Sequence, residues 1–160
     1  MRKIPDLDRI DFAILRLLQN DARLAVKEVA AAVELAPSSV HERIKRLRDA
    51  DILRGAHAEV DPVALGVGLE GLFMIGLAKH KRSTVDELFA DIAEIPEVRS
   101  AFLVSGRYDL LVHVLVRDTD HLKNLAFDHF TSRNVVSHIE TAIIFEGRHR
   151  HEVPIYLEGA

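Results

Sequence analysis

The stretch VKEVAAAVELAPSSVHERIK, Val26–Lys45, decides the reading of the chain. Val29, Ala30 and Val33 recur on one face of a short helix over Val26–Val33. Glu34-Leu35-Ala36 interrupts it. Pro37 then suits the first position of a second helix, where its missing N–H costs nothing, and Ser38 and Ser39 suit the first turn. That helix runs to about Ala50 with Val40, Ile44 and Leu47 pointing inward. Two short helices around a tight turn, the second polar and basic outside, form the layout that seats a recognition helix in the DNA major groove. Ala30 is small enough for a close crossing, and Leu35 plugs the turn. Ser38, Ser39, His41, Glu42, Lys45 and Arg46 are left outward. The N-terminal ones are placed for base edges, and Arg43, Lys45, Arg46 and Arg48 for phosphates. Glu34 stands where such turns often carry glycine, so a positive φ at a non-glycine residue is expected.

Working outward, a first helix precedes this pair. Asp8 and Asp11 form a capping box, Ile10, Ile14, Leu17 and Leu18 follow at helical spacing, and the helix stops near Asn20–Asp21. Beyond it, Arg54–Pro62 alternates as a strand-like connector, and Asp61-Pro62, Gly66, Gly68 and Gly71 mark a boundary. The rhythm then changes. Strands are expected over Gly71–Lys79, Val98–Val104, Leu110–Val116 and Ile139–Phe145. A helix opens at Ser83 with Asp86 as a second capping box and Val85, Leu88, Phe89 and Ile92 inward. Another starts at Thr119 with Leu122, Leu125, Ala126 and Phe130 inward. The order is βαββαβ, the ferredoxin-like arrangement. Val153–Leu157 reads as one more short strand. The fold class is thus α+β, a winged-type helix-turn-helix followed by a ferredoxin-like domain. The division is 1–53 for DNA, 54–66 as hinge, and 67–160 for effector binding and assembly.

A formal net charge of −4 over 160 residues, taken as a total, is unfavourable to nucleic acid. Its distribution removes the objection. Residues through Gly66 carry 11 Lys+Arg against 11 Asp+Glu, and the remainder carries 10 against 14. Phosphates meet the local stripe of Arg43, Lys45, Arg46 and Arg48, not the total. With no cysteine there is no disulfide framework and no thiolate site. Met-Arg-Lys at the start turns acidic without the apolar core of a signal peptide, and the apolar runs are too short to span a bilayer, so a cytoplasmic protein without a membrane partner is expected. No P-loop, dinucleotide fingerprint or nucleophile–base–orienter set is present, so neither a cofactor nor catalytic residues are expected. His149-Arg150-His151 lacks a closed ligand set for a metal, and His121 and His129 are too far apart along a helix to share an ion. His113 reads as structural, and Asp118-Thr119-Asp120 as a helix cap.

The β-strands are apolar on both faces: Phe73, Ile75 and Leu77 against Leu72 and Met74, with Leu111, Val112, Val114 and Leu115 beside them. Two helices cover one face. A homodimer is the simplest cover for the other, and it would space two recognition helices for a two-fold operator. In the turn Ser105-Gly106-Arg107-Tyr108-Asp109, backbone N–H groups near Gly106 suit a carboxylate and Asp109 an ammonium, which together describe a free amino acid.

Several segments in order resemble the Lrp/AsnC, or feast/famine, regulators. They are Leu7-Asp8-Arg9-Ile10-Asp11 through Leu17–Arg23, Leu35–Val40 with Arg43–Leu47, the hinge Asp51-Ile52-Leu53 … Asp61-Pro62 … Leu65-Gly66, and Gly106-Arg107-Tyr108-Asp109-Leu110. The resemblance runs from about Leu7 to Phe145. It implies a regulator of transcription binding double-stranded DNA, dimers assembling further (octamers among them), and an amino-acid effector at a subunit interface near Ser105, Gly106, Tyr108, Asp109 and Thr141. Two positions depart from the family pattern. Asp51 stands where glycine is usual, and Asp tolerates the left-handed region better than most residues. The last strand reads Ile139-Glu140-Thr141 in place of a Thr-x-Thr pair. The alternative reading is an amino-acid-binding regulatory subunit of a metabolic enzyme.

Overall fold

The computed structural model describes residues 6–78 and 81–157, so the expected strand end at Lys79 and the last residues of the expected C-terminal domain lie outside the described residues. The chain divides into two compact units. One holds the described residues through Glu59 together with those from Arg148 on, and the other is Val60–Gly147.

The first unit contains α1 (Arg9–Asn20), α2 (Val26–Ala32) and α3 (Pro37–Asp49). The Asp8 carboxylate accepts from the Asp11 N–H at 2.9 Å and the Asp11 carboxylate from the Asp8 N–H at 3.2 Å, which is the reciprocal box read from the sequence. At the start of α2, Glu28 accepts from the Ala25 N–H at 2.7 Å. Ile14, Val29, Ala30, Val40, Ile44 and Leu47 form the buried core, with Leu35 packed against it from the turn. Glu34 and Asp51, which close α2 and follow α3, hold φ of 55° and 52°. Both are the left-handed positions where glycine is the usual choice. Relieving that strain offsets the extra entropy a glycine loses on folding. Glu34→Gly is therefore expected to be neutral or stabilising by up to about 1 kcal/mol, and Glu34→Val to cost about 1–2 kcal/mol, as read in urea melts.

No strand follows α3 in the described part of this unit, so the expected wing is not formed. Arg54–Pro62 joins no ladder, since Ala56 and Ala58 offer little surface to bury against a neighbour. Val153–Leu157 is likewise not a strand, because Pro154 removes a ladder donor from the middle of the run.

The second unit contains β1 (Leu69–Leu77), α4 (Arg82–Ala93), β2 (Val98–Leu103), β3 (Leu110–Val116), α5 (Thr119–Ala126) and β4 (Val136–Ile144), with a π-helical turn Phe127–Thr131 extending α5. The sheet is antiparallel in the order β2-β3-β1-β4. Phe73, Ile75, Leu110, Val112, Val114 and Val116 face the helices and meet Leu88, Ile92, Leu122, Leu125 and Phe130. The opposite face carries half-buried Leu72, Met74, Leu111 and Leu115 with exposed Phe102. The expected box at Ser83 does not form. The helix opens at Arg82, so Ser83 lies inside its first turn, and the residue before the helix, Lys81, makes no side-chain cap. β4 begins earlier than its apolar pattern suggests: Val136 pairs with Leu77 beyond an irregularity at Gly76/Leu77.

Candidate DNA interface and effector site

On α3, buried Val40, Ile44 and Leu47 fix which sides remain. Ser38, Glu42, Lys45 and Asp49 form one exposed stripe, spaced as helical neighbours are, with His41 beside it. Ser39, Arg43 and Arg46 form a second stripe, and this one meets α1. Arg43 Nη1 donates to Asp8 Oδ2 at 2.7 Å and to Asp11 Oδ1 at 2.8 Å, and Arg46 Nη2 donates to Asp11 Oδ2 at 2.5 Å. Arg43 keeps 25% of its side-chain surface and Arg46 keeps 49%. The residues singled out in the sequence thus share one helix but divide between two sides. The role of Asp11 as a tertiary ion-pair partner was hidden, because its place in the capping box already accounted for it. The Asp11 N–H and then the Arg43 guanidinium hold the Asp8 carboxyl below its ordinary value of 3.8. A carboxyl depressed by folding stabilises the fold above its unfolded value, and that stabilisation is lost as pH falls through the lower folded value. Thermal melts should therefore show the helical unit weakening below about pH 4. Asp8→Asn keeps the cap acceptor but loses the charge, so its acid-side fall should be shallower.

In the second unit the turn Ser105–Asp109 joins β2 to β3, with Gly106 at φ +135° and Ser105 and Gly106 exposed. Asp109 Oδ2 accepts from the Leu77 N–H at 2.7 Å, and the Asp109 N–H donates to Ile75 O at 2.9 Å, so this residue ties the turn to the end of β1. Arg107 Nη2 pairs with Glu140 Oε1 at 2.9 Å, and its guanidinium lies 5.3 Å from the Tyr108 ring centroid. The hydrogen bond between Tyr108 and Glu140 raises the tyrosine's pKa. The His138 ring lies 6.0 Å from Tyr108 and covers Gly76, where a side-chain carbon would strike the imidazole. Glu140 and His138 were not singled out by sequence, since polar residues on an edge strand carry no signal of their own.

Thr141 is elsewhere. It pairs with Phe73 and therefore faces the helices, whereas Glu140 next to it faces the other way. Thr141 lines a cavity of about 350 Å³ with Leu122, Lys123, Phe127, Thr131 and Ile139. Within one chain, then, the turn and Thr141 do not converge on one point. Among the described residues no cluster of three or more His, Asp or Glu side chains is arranged to hold a metal, and no helix is long and apolar enough to cross a membrane.

Comparison with known proteins fits both units. Residues 7–48 match the AsnC-type helix-turn-helix domain and residues 70–153 the Lrp/AsnC ligand binding domain. The chain is similar to the HTH-type transcriptional regulator AldR of Mycolicibacterium smegmatis, 33% identical over 141 residues that cover 88% of this chain and 82% of that protein. It is also similar to the DNA-binding transcriptional activator DecR of Escherichia coli K12, 35% identical over 131 residues that cover 82% and 83%. Among solved structures, a transcriptional regulator of Neisseria meningitidis in complex with L-Met superposes with a TM-score of 0.88 at 28% identity, covering 94% of this chain and 98% of that one. These relatives are transcriptional regulators, not enzymes. With a helix-turn-helix of matching sequence and a ferredoxin-like unit of matching topology, the chain belongs to the Lrp/AsnC family of DNA-binding transcriptional regulators.

Proposed function

We propose that this regulator acts in the cytoplasm, reads a specific operator with α3 and responds to a free amino acid bound at a subunit interface. The observation that carries the first part is the exposed stripe of α3, which sets Ser38, His41, Glu42 and Lys45 beside one another on the second helix of the motif. In this reading Ser38, Ser39, His41 and Glu42 meet base edges, and Lys45 and Arg46 meet phosphates. Arg43, held by Asp8 and Asp11, lies on the side of α3 that meets α1.

The amino-acid reading rests on the turn Ser105, Gly106, Tyr108 and Asp109, on the cavity at Thr141, and on the L-Met bound by the Neisseria meningitidis relative. Because the turn and Thr141 are apart within one chain, an effector touching both bridges two subunits. The apolar open face of Leu72, Met74, Leu111 and Leu115 supports a homodimer, and the family resemblance alone extends this to further assembly, octamers among them. In this division of labour residues 1–53 read DNA, 54–66 form the hinge, and 67–160 sense and assemble, except that the segment from Arg148 on packs with the helical unit.

An electrophoretic shift with the gene's own upstream region tests the operator. A band that competes with specific but not shuffled duplex supports it, and no shift even at low salt overturns it. Calorimetric titration with the twenty amino acids tests the sensor. One or a few should bind wild type, and Asp109→Asn should bind them more weakly. Asparagine is the better probe here than alanine because it can still accept from the Leu77 N–H. Silence from all twenty leaves the turn a structural one.

A further inference from the structure

Asp11 is the only charged side chain among the described residues that is fully buried. Helix capping does not account for that burial, since the Asp8 cap on the same turn sits half-exposed. What surrounds the Asp11 carboxylate is the back of α3. One oxygen receives Arg43 and the other receives Arg46 and the Asp8 N–H, and Asp8 takes a second contact from Arg43. The two arginines stand one turn apart, so a single immobile carboxylate grips α3 at two points.

We infer that Asp11 is a positioning residue for DNA recognition, fixing the rotation of α3 about its own axis and withdrawing Arg43 from the charge presented to phosphates. This rests on the reading that α3 meets DNA and goes beyond it by dividing the basic residues by role. The apolar contacts of Val40, Ile44 and Leu47 are non-directional and tolerate a small roll of the helix. The charge-assisted bonds to Asp11 do not, because guanidinium and carboxylate are planar and directional. A roll carries Ser38, His41 and Glu42 off the base edges they would read. Arg43 is engaged by both aspartates and is turned toward α1. Arg46 is half-exposed and keeps guanidinium surface for a phosphate while one nitrogen remains on Asp11.

Loss of Asp11 then has two opposed effects. Specific binding weakens through loss of alignment, and non-specific binding gains a released cation. A merely structural role would weaken both together.

The test uses the full-length chain, its own upstream duplex and a shuffled duplex, titrated over a salt series, with urea melts to establish folding. For Asp11→Asn the specific-to-shuffled affinity ratio is expected to fall roughly tenfold or more, the discrimination that one well-aligned base contact supplies. The salt slope on shuffled DNA should steepen by about one, the change for one added phosphate neutralised. Arg43→Met should lower the ratio with an unchanged slope. Lys45→Ala should do the reverse, reducing the slope by about one while keeping the ratio. The inference is overturned if Arg43→Met loses slope as Lys45→Ala does, or if folded Asp11→Asn keeps the wild-type ratio and slope. Should Asp11→Asn not fold, the Arg43→Met and Lys45→Ala pair decides alone. A wild-type chain that does not distinguish the two duplexes removes the operator reading, and the slopes still settle where Arg43 lies.

Discussion

Lys45→Glu should weaken DNA binding roughly ten- to a hundredfold near 0.1 M salt, on specific and shuffled duplex alike, and flatten the salt slope by about one to two. Lys45 is exposed on the outer stripe of α3, and glutamate is as good a helix former as lysine, so the fold should be untouched. The loss comes from long-range charge. Neutralising one phosphate releases about one counterion, and reversing the charge adds repulsion to the missing attraction. Measured as affinity against salt concentration, the wild-type and variant lines should converge as salt rises. Parallel lines, or a variant binding as wild type, would mean that this stripe does not face phosphate.

The second large effect belongs to the other unit. Phe73→Ala is expected to cost about 3–5 kcal/mol, the range for deleting a fully buried aromatic. Phe73 is 0% exposed at the centre of the sheet, with its ring centroid 5.2 Å from that of Phe130. Its removal opens a void between β1 and the π-helical turn, and the neighbouring β-branched side chains have little freedom to fill it. Chemical unfolding should show the transition of the sheet unit shifted to lower denaturant while the helical transition stays in place. A single unshifted transition would mean that the void collapses.

Much of the fold was legible because it rests on local chemistry. The Asp8–Asp11 box, Pro37 at the start of α3 and the strand Leu110–Val116 all announce themselves within a few residues. Glu34 and Asp51 were legible as departures, since a position that wants glycine and lacks it must still adopt the left-handed conformation. What was not legible depends on partners distant in the chain. Ser83 and Asp86 have the spacing of a box, but the helix begins at Arg82. The start of β4 is written in Ser137 and His138, polar residues that pair because β1 extends beside them: Ser137 Oγ donates to Gly76 O at 2.8 Å. Arg43 looks like any basic residue on a DNA helix until α1 brings two aspartates to it. Tyr108 and Thr141 are companions by resemblance, and only the alternation of the strand places them on opposite sides of the sheet, Tyr108 beside Glu140 and His138 and Thr141 beside Phe73.

The tail bears on how a signal leaves the sensing half. After β4 the chain goes back to the helical unit, where the Val153 N–H donates to Gln19 Oε1 at 2.6 Å near the end of α1. The unit that reads DNA is therefore assembled from both ends of the polypeptide, and two covalent tethers, not one, link it to the sensor. Residues 60–147 are thus joined to the helical unit at both of their ends. A truncation that removes Val153 is thus expected to alter the reader, because it takes away the partner of Gln19 on α1.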